Sequence, residues 1–257
     1  MDLREVKDNF KRHPWEFARV KALAKILTLK VNCVNVLRVL DVGCGDAFTV
    51  RNVLKGFNVE SIDGVDINLS DSEIEKLSIL YNNITFHNKL ERLKADKYNL
   101  ILLLDVLEHI KDDGIFLNEI INNYLDSRGY LLITVPGYNF LYSSHDRFLR
   151  HHRRYNLKEL IHLINGTFLE PLSYGYLSLP LIPIRLISLY YERLAKVESM
   201  ANKGVGVWEY NMVITNTIAL ILTMGNIVSI TLARFGIKLP GLTVSIALSK
   251  IRPLMLS

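Results

Sequence analysis

Two acids and a histidine lie close together in the segment LDVLEHI, residues 104–110. Asp105, Glu108 and His109 have the spacing i, i+3 and i+4, which puts their side chains on one side of a helical turn. Three interpretations stay open. In the first, the turn is structural and one acid caps it. In the second, His109 or Asp105 is a general base. Alternatively the three bind a divalent cation, since carboxylates and an imidazole suit magnesium, manganese or zinc once a further ligand is added.

The segment from Val135 to Tyr155, VPGYNFLYSSHDRFLRHHRRY, holds three of the seven histidines. His145 stands next to Asp146, and a histidine beside an acid is suited to accept the proton of a reacting hydroxyl group. The predicted catalytic residues are therefore His145, His109 and Asp146. Three arginines of the same segment are suited to an anionic acceptor: Arg150, Arg153 and Arg154. The alternative is a solvated basic loop or the start of a helix.

A glycine turn follows an apolar stretch in LRVLDVGCGDAF, residues 37–48. This pattern is typical of a buried strand, a tight turn at Gly43 and Gly45, and the start of a helix, with glycines that let the backbone approach a ligand. The dinucleotide fingerprint requires a third glycine where Phe48 stands, which argues against nicotinamide and flavin cofactors. Asp41 before the turn suits a ligand that carries an amine.

Strands and helices alternate after an amphipathic helix at Pro14–Lys30, which predicts an α/β fold with a doubly wound, mostly parallel sheet. The predicted strands are Arg38–Val42, Val59–Asp66, Ile84–His87, Tyr98–Asp105 and Tyr130–Val135. The predicted helices between them are Ala47–Lys55, Asp71–Tyr81 and Asp113–Tyr124. Ligands of such sheets bind at the carboxyl ends of the strands, where this chain has Asp41, Asp66, Asn88 and Asp105.

The glycine turn resembles the first motif of the class I S-adenosylmethionine (SAM) dependent methyltransferases, which has the form acidic-x-Gly-x-Gly. Asp41, Gly43 and Gly45 match it, and Ala47 stands where many members have another glycine. The resemblance implies SAM as the cofactor and a Rossmann-like sheet with an antiparallel last strand. Asp66, about twenty residues beyond the turn, is placed to accept both ribose hydroxyls.

The same resemblance completes the predicted cofactor site. Ile67 packs on the adenine, and Asn88 stands where many relatives have an aspartate that contacts the adenine amino group. The full predicted set is Asp41, Gly43, Gly45, Asp66, Ile67, Asn88 and Asp105.

The segment LDVLEHI resembles the fourth motif of many small-molecule and glycan methyltransferases. Ubiquinone-pathway and small-RNA 2′-hydroxyl methyltransferases hold a cation with an acid-x-x-Glu-His arrangement of this kind. A metal is not part of the predicted cofactor set. Asp105, Glu108 and His109 are the candidate ligands if one binds.

Composition sets further limits. The chain has 257 residues, 49% hydrophobic and 22% charged, which indicates a globular protein. The net charge of +5 is mild, but the basic cluster from Arg147 to Arg154 favours an anionic acceptor or membrane surface, and nucleic acid is not expected as a partner. Cys33 and Cys44 predict no disulfide framework, and the charged N-terminal segment lacks a signal-peptide core. The predicted location is the cytoplasm. Peripheral binding to the inner face of the plasma membrane is left as an open alternative.

The family fold ends with two strands joined by a short connection, which Leu169–Leu177 and Leu242–Ser249 resemble, but about 60 residues separate them here. Apolar helices are predicted at Leu181–Leu194 and Met212–Ala233. The second is long enough to span a bilayer, but one crossing would separate the last strand from its sheet. A membrane-surface element, a lid and a dimer interface stay open. The predicted units are 1–179 (methyltransferase core with the N-terminal helix), 180–240 (apolar helical insertion) and 241–257 (last strand and tail).

The predicted function is transfer of a methyl group from SAM to a hydroxyl group of a glycan or lipid-linked intermediate. This prediction rests on the segment HDRFLRHHRRY, which resembles a stretch of methyltransferases from bacterial polysaccharide and lipid-carrier gene clusters, and on the apolar tail. A quinone- or phenol-type O-methyltransferase with a metal at Asp105, Glu108 and His109 is the enzymatic alternative. A non-catalytic, membrane-bound scaffold with the SAM-binding fold is the alternative from another class.

Overall fold

The computed structural model describes residues 11–31, 36–93, 97–195 and 208–250, so that Cys33 and the last seven residues of the tail lie outside the described residues. The strands are β1 (Leu37–Val42), β2 (Val59–Val65), β3 (Ile84–His87), β4 (Tyr98–Leu104), β5 (Leu125–Pro136), β6 (Leu169–Leu177) and β7 (Thr243–Lys250). The α-helices are α1 (Pro14–Lys30), α2 (Phe48–Val53), α3 (Asp71–Leu80), α4 (Asp113–Asn123), α5 (Ser144–Phe148), α6 (Leu157–Ile164), α7 (Ile182–Ala195) and α8 (Met212–Arg234).

The strands form one sheet in the order β3-β2-β1-β4-β5-β7-β6. β1 to β5 pair in parallel, and β7 lies antiparallel between β5 and β6. The strand order reverses between β1 and β4, which is where open α/β sheets form a ligand crevice beyond the strand ends. The predicted fold class, with its antiparallel last strand, is confirmed.

The core lies on both faces of this sheet. β4 is buried along both faces, as its continuous apolar sequence predicts. Leu100 and Leu102 join the cluster that α1 and α2 cover, while Ile101 and Leu103 join the cluster that α4 and α6 cover. Packing on both faces of the sheet fixes the positions of the strands. The loops at the carboxyl ends of the strands therefore start from fixed positions.

β5 begins at Leu125 and not at Tyr130 as predicted. The intervening residues are polar or glycine, and the Asp126 carboxylate accepts a hydrogen bond from the Arg128 amide, which is a turn-like contact. The register with β4 shifts at this point, because Tyr98 pairs with Leu125 and Leu100 pairs with Tyr130. An irregular strand start of this kind has the composition of a loop.

The insertion after β6 forms a 3-10 turn at Leu179–Leu181, then α7 and α8. Both helices contact this turn, and α8 also packs on α1 and β6. Among the described helices, α8 alone is long and apolar enough to cross a membrane by length and composition. α7 and α8 both fall within the predicted unit 180–240, whose boundaries stay a prediction.

Candidate active site

The glycine turn after β1 is closely fitted to its neighbours. Gly43 has φ +73°, and a Cβ atom on it would lie 2.7 Å from Cγ2 of Val106. The Gly43 amide donates to the Val65 carbonyl at 2.7 Å, which ties the turn to the end of β2. Ala47 takes φ +60° directly before α2, at the position where the sequence lacks the further glycine. The turn therefore has the expected shape at the cost of one strained alanine.

Asp66 stands at the end of β2 beside this turn. Its Oδ2 accepts a hydrogen bond from the Gly45 amide at 3.0 Å, and its Oδ1 accepts one from the Asn68 amide at 2.9 Å. The next residue, Ile67, is 82% exposed although it is apolar. A fixed carboxylate next to an exposed apolar side chain fits a ribose with its attached base.

Asn88 follows β3 at the same edge of the sheet. Its side-chain Oδ1 is buried without a hydrogen-bond partner in the described ranges, while its Nδ2 donates to Asp71 at 3.4 Å. A buried amide oxygen without a partner is costly, and the amino group of an adenine would satisfy it. Asn88 stands where many relatives have an aspartate, and its side-chain oxygen still offers a hydrogen-bond acceptor for the adenine.

Asp41, at the carboxyl end of β1, is buried beneath this edge. Burial raises its pKa to about 7, the charge of Asp66 adds to the increase, and Arg19 opposes it. A carboxylate whose ionised form is disfavoured by its surroundings gains from a cationic partner. The amine and the sulfonium of SAM are cationic groups of this kind, so Asp41 fits the cofactor that the sequence predicts.

Arg19 is a residue of this site that the sequence did not reveal. It lies on α1, and its guanidinium contacts Asp105 Oδ2 at 2.6 Å and Thr134 Oγ1 at 2.9 Å. Thr134 donates in turn to Asp105 Oδ1 at 3.0 Å. Asp105 has φ +61°, a conformation that costs energy for a residue other than glycine and that clusters at functional sites. An arginine on an amphipathic helix carries no local signal of such a contact.

The segment after β4 forms a short 3-10 turn and brings Glu108 and His109 to a third residue, His151. One ligand atom from each of the three lies within 4.8 Å of the other two. Glu108 is fully buried, and neither of its carboxylate oxygens has a hydrogen-bond partner in the part of the chain that the structure describes. Burial and the nearby Asp105 raise the pKa of Glu108 well above its usual value.

A buried carboxylate without partners is unfavourable unless it is protonated or paired with a cation. One carboxylate and two imidazoles are a suitable donor set for a divalent cation. The residues therefore fit a metal ion, but the set differs from the predicted one. His151 replaces Asp105, whose carboxylate is engaged by Arg19 and Thr134.

Asp146 holds His151 in place. Its Oδ1 contacts Nδ1 of His151 at 2.9 Å and accepts from Nε of Arg154 at 2.8 Å. Its Oδ2 accepts from Arg185 of α7 at 3.1 Å and from the Ser143 amide at 2.9 Å. Although burial acts against ionisation, these hydrogen bonds and charges hold the pKa of Asp146 well below its usual value. Asp146 contacts His151 in this way, whereas the sequence paired it with the adjacent His145.

His145 lies on α5, half-buried, and is not one of the three clustered ligand residues. Burial lowers its pKa to about 4, and the charge of Arg185 adds to the decrease, so its imidazole is neutral at pH 7. Two of the three arginines predicted to bind an anion have partners inside the protein. Arg153 contacts Asp113 at 3.2 Å, and Arg154 binds Asp146.

Comparison with known proteins identifies the family of the chain. Residues 14–172, more than half of the chain, match the family described as a methyltransferase domain. The ubiquinone biosynthesis O-methyltransferase of Rickettsia typhi is 30% identical over 106 residues, which are 39% of this chain and 42% of that protein. The match thus covers less than half the length of this relative.

Two solved structures share the fold. Coclaurine N-methyltransferase bound to N-methylheliamine and SAH has a TM-score of 0.55 and 15% identity, with 95% of this chain and 73% of that chain covered. The plantazolicin methyltransferase in complex with a monoazolic desmethylPZN analog and SAH has a TM-score of 0.53 and 14% identity, with 93% and 85% covered. The match over residues 14–172 shows that the chain belongs to the methyltransferase domain family, and the glycine turn and the strand-end carboxylates fit a SAM site.

Proposed function

We propose that the protein transfers the methyl group of SAM to a hydroxyl oxygen of a small molecule, and that the acceptor binds next to a divalent cation held by Glu108, His109 and His151. The observation that carries the proposal is the buried Glu108 carboxylate, whose two oxygens have no hydrogen-bond partner in the described ranges, beside two imidazoles. A site built only for packing would not leave both oxygens unpaired.

The cofactor half of the site positions SAM. Asp66 accepts the ribose hydroxyls, Ile67 and Asn88 contact the adenine, and Asp41 faces the cationic end of the cofactor. SAM supplies an activated methyl group when it is bound. The contribution of the protein is therefore mainly alignment of the acceptor oxygen with the methyl carbon.

The acceptor half of the site, which consists of Glu108, His109 and His151, has a separate task. A bound divalent cation lowers the pKa of a hydroxyl group that contacts it and fixes its orientation. One carboxylate and two imidazoles favour manganese, cobalt or zinc over magnesium, which prefers oxygen ligands alone. Asp146 orients His151 through Nδ1, which leaves the other ring nitrogen for the cation.

The histidine base predicted from the sequence is the alternative route for the proton. His145 is neutral at pH 7, the form that accepts a proton, but its pKa of about 4 makes it a weak base. His109 would serve as a base only if no cation occupied the cluster. Asp146 is assigned a positioning role here, because its oxygens are engaged by His151, Arg154 and Arg185.

The acceptor is proposed from chemistry and from the relatives. The similar proteins are named for O-methylation in ubiquinone biosynthesis, which favours a phenol, and a cation-bound site suits two adjacent hydroxyls. The glycan or lipid-linked acceptor predicted from the sequence stays the second candidate. It is favoured by the exposed apolar side chains of α7 and α8, which suit an acceptor carried by a membrane.

Methyl transfer from labelled SAM to 3,4-dihydroxybenzoate tests the proposal, with 4-methoxybenzoate as the acceptor that lacks a free hydroxyl. We expect labelled product only from the dihydroxy compound, at least tenfold less after EDTA treatment, and recovery with Mn²⁺. Turnover unchanged by EDTA would overturn the cation and favour a histidine base. Absence of SAM binding would overturn the cofactor half and favour the non-catalytic scaffold. SAM binding without phenol methylation would overturn the phenol acceptor alone.

A further inference from the structure

The polarity of α8 is inverted relative to a helix that covers a soluble core. Four of its seven buried residues are polar, namely Thr215, Thr223, Asn226 and Ser229, and the other three are Ala219, Leu222 and Ile230. Its exposed face carries large apolar side chains, namely Val213, Leu220, Ile221, Met224, Ile227 and Val228. A helix at a protein surface normally has the opposite arrangement, so this face is suited to an apolar partner.

Hydrogen bonds to the rest of the protein fix this orientation. Asn226 Oδ1 accepts from the Ser178 amide at 2.7 Å, and its Nδ2 donates to the Ala18 carbonyl of α1 at 3.4 Å. Thr215 accepts from the Trp208 indole at 2.7 Å. Rotation of α8 about its axis would break these contacts and leave the buried Asn226 side chain without its partners.

α7 presents a second apolar surface with the same character. Ile184, Ile187, Tyr190, Tyr191 and Leu194 are all exposed. The helix is anchored by Arg185, which binds Asp146 and Ser143, and by the buried Leu189. Its outward face is therefore as firmly set as that of α8.

Charged and aromatic residues at the helix ends indicate the partner. α8 contains no acidic residue, ends at Arg234 and is followed by the exposed Phe235 and by Lys238. The only acid of α7, Glu192, accepts a hydrogen bond from the Ser144 amide at 2.8 Å. Arg234 and Lys238 give the C-terminal end of α8 a basic character that anionic phosphates complement, while the exposed Glu209 lies beyond its other end.

We propose that the exposed faces of α7 and α8, here called the apolar surface, bind the surface of an anionic lipid bilayer, with α8 lying in the interface plane. Apolar side chains enter the headgroup boundary, and the basic and tyrosine residues contact the headgroups. α8 does not cross the bilayer, because α1 covers its buried face and only eight residues separate its end from β7, which pairs within the sheet. This proposal does not depend on the identity of the methyl acceptor.

Co-sedimentation of the full chain with vesicles tests the proposal. The vesicles contain phosphatidylcholine and phosphatidylglycerol at 3:1, or phosphatidylcholine alone. The test variant is Leu220→Asp/Met224→Asp, and the matched control is Ile79→Asp/Ile115→Asp, which changes two apolar residues on α3 and α4 that are more exposed still. We expect the wild type and the control to bind the anionic vesicles, and the test variant to bind at least about tenfold more weakly.

Three results would overturn the proposal. One is a wild type that stays in the supernatant with anionic vesicles. Another is equal vesicle binding by the test variant and the control. The third is a wild-type dimer in sedimentation velocity that Leu220→Asp/Met224→Asp dissociates, without vesicle binding by either protein, since this would assign the apolar surface to a second copy. Circular dichroism and thermal unfolding of each variant establish that it is folded.

Discussion

The proposed cofactor half and the proposed acceptor half of the site are built by different means. Asp41, Asp66 and Asn88 each follow a strand of the parallel sheet, so neighbouring strands bring them to one edge without help from distant segments. Glu108 and His151 come from separate loops, and His151 is held by an aspartate that Arg185 of α7 helps to position. The sheet topology alone places the residues of the cofactor half. The residues of the acceptor half come together only through tertiary contacts between separate segments.

The two halves also differ in charge. The cofactor half concentrates carboxylates, with Arg19 as the cation that contacts Asp105. In the acceptor half, Asp146 contacts two arginines and His151, whereas the Glu108 carboxylate has no hydrogen-bond partner in the described ranges. A ligand with positive charge suits the first half, and a cation suits the gap at Glu108 in the second. Variants in one half should therefore leave the other half working.

Glu108→Gln is expected to give the largest loss of turnover while it leaves the cofactor half intact. It keeps the shape of the side chain but removes the charge that would bind a cation, so we expect turnover to fall about 100-fold while SAM affinity stays within about twofold. Initial rates with labelled SAM and calorimetry of SAM binding measure the two quantities. Glu119→Gln on the exposed side of α4 is the control. Equal loss of SAM affinity in Glu108→Gln would show that the halves are not separate.

Asp146→Asn tests whether the acceptor half depends on its buried ion cluster. The change leaves Arg154 and Arg185 without a buried counter-charge, so we expect the free energy of unfolding to fall by about 3 kcal/mol. Urea denaturation measures this, with the exposed Asp112→Asn as the control. Unchanged stability would mean that solvent reaches the cluster and that the proposed positioning of His151 by Asp146 is wrong.

Asp66→Ala tests the cofactor half. The variant removes the proposed carboxylate contact with the ribose and its hydrogen bond from Gly45, so we expect SAM affinity to fall about 10- to 100-fold. Calorimetry with SAM and with SAH measures it, and Glu75→Ala on the exposed face of α3 is the control. The assignment fails if SAM affinity is retained and turnover alone declines.

Asp41 gives the smallest expected effect, a pH dependence. Its pKa in the SAM-free protein is about 7, and a cationic ligand favours the ionised form, so binding at pH 6 should release up to one proton. SAM affinity should rise by at most about tenfold per pH unit up to pH 7 and then level off. Calorimetry in buffers of different ionisation enthalpy measures the proton. No release in the wild type, or equal release in Asp41→Asn, would remove Asp41 from the site.

The stability of the SAM-free protein depends on pH in the opposite direction to the SAM affinity. Because the pKa of Asp41 in the folded protein lies above its unfolded value, its contribution to stability is present at low pH. The contribution is lost as the pH rises through about 7. The SAM-free protein therefore loses stability over this range on account of Asp41, and SAM binding offsets the loss.

Much of the sheet was predictable because its signals are local. The apolar run of β4 and the bounds of α1 and β3 could be read from the sequence, and Asp66 follows from its place after β2. The start of β5 was missed because its residues have the composition of a turn. The length of α8 was predictable, but which of its faces is buried depends on Asn226 contacting Ser178 and Ala18.

The acceptor half was predictable only as a region. The histidine-rich loop was identified, but nothing local distinguishes His151 from His145. The choice is made by Asp146, which caps the loop at Ser143 and binds His151 and Arg154. Arg19 was missed for the same reason, since its contact with Asp105 joins two residues that are distant in the sequence.

Electron paramagnetic resonance of added Mn²⁺ measures occupancy of the proposed cation site without an acceptor, because free and protein-bound Mn²⁺ give different signals. We expect one bound ion per wild-type chain, and an affinity at least about tenfold lower in Glu108→Gln and in His151→Ala, with SAM affinity retained in both. Equal Mn²⁺ binding by the wild type and Glu108→Gln would show that Glu108 does not hold a cation.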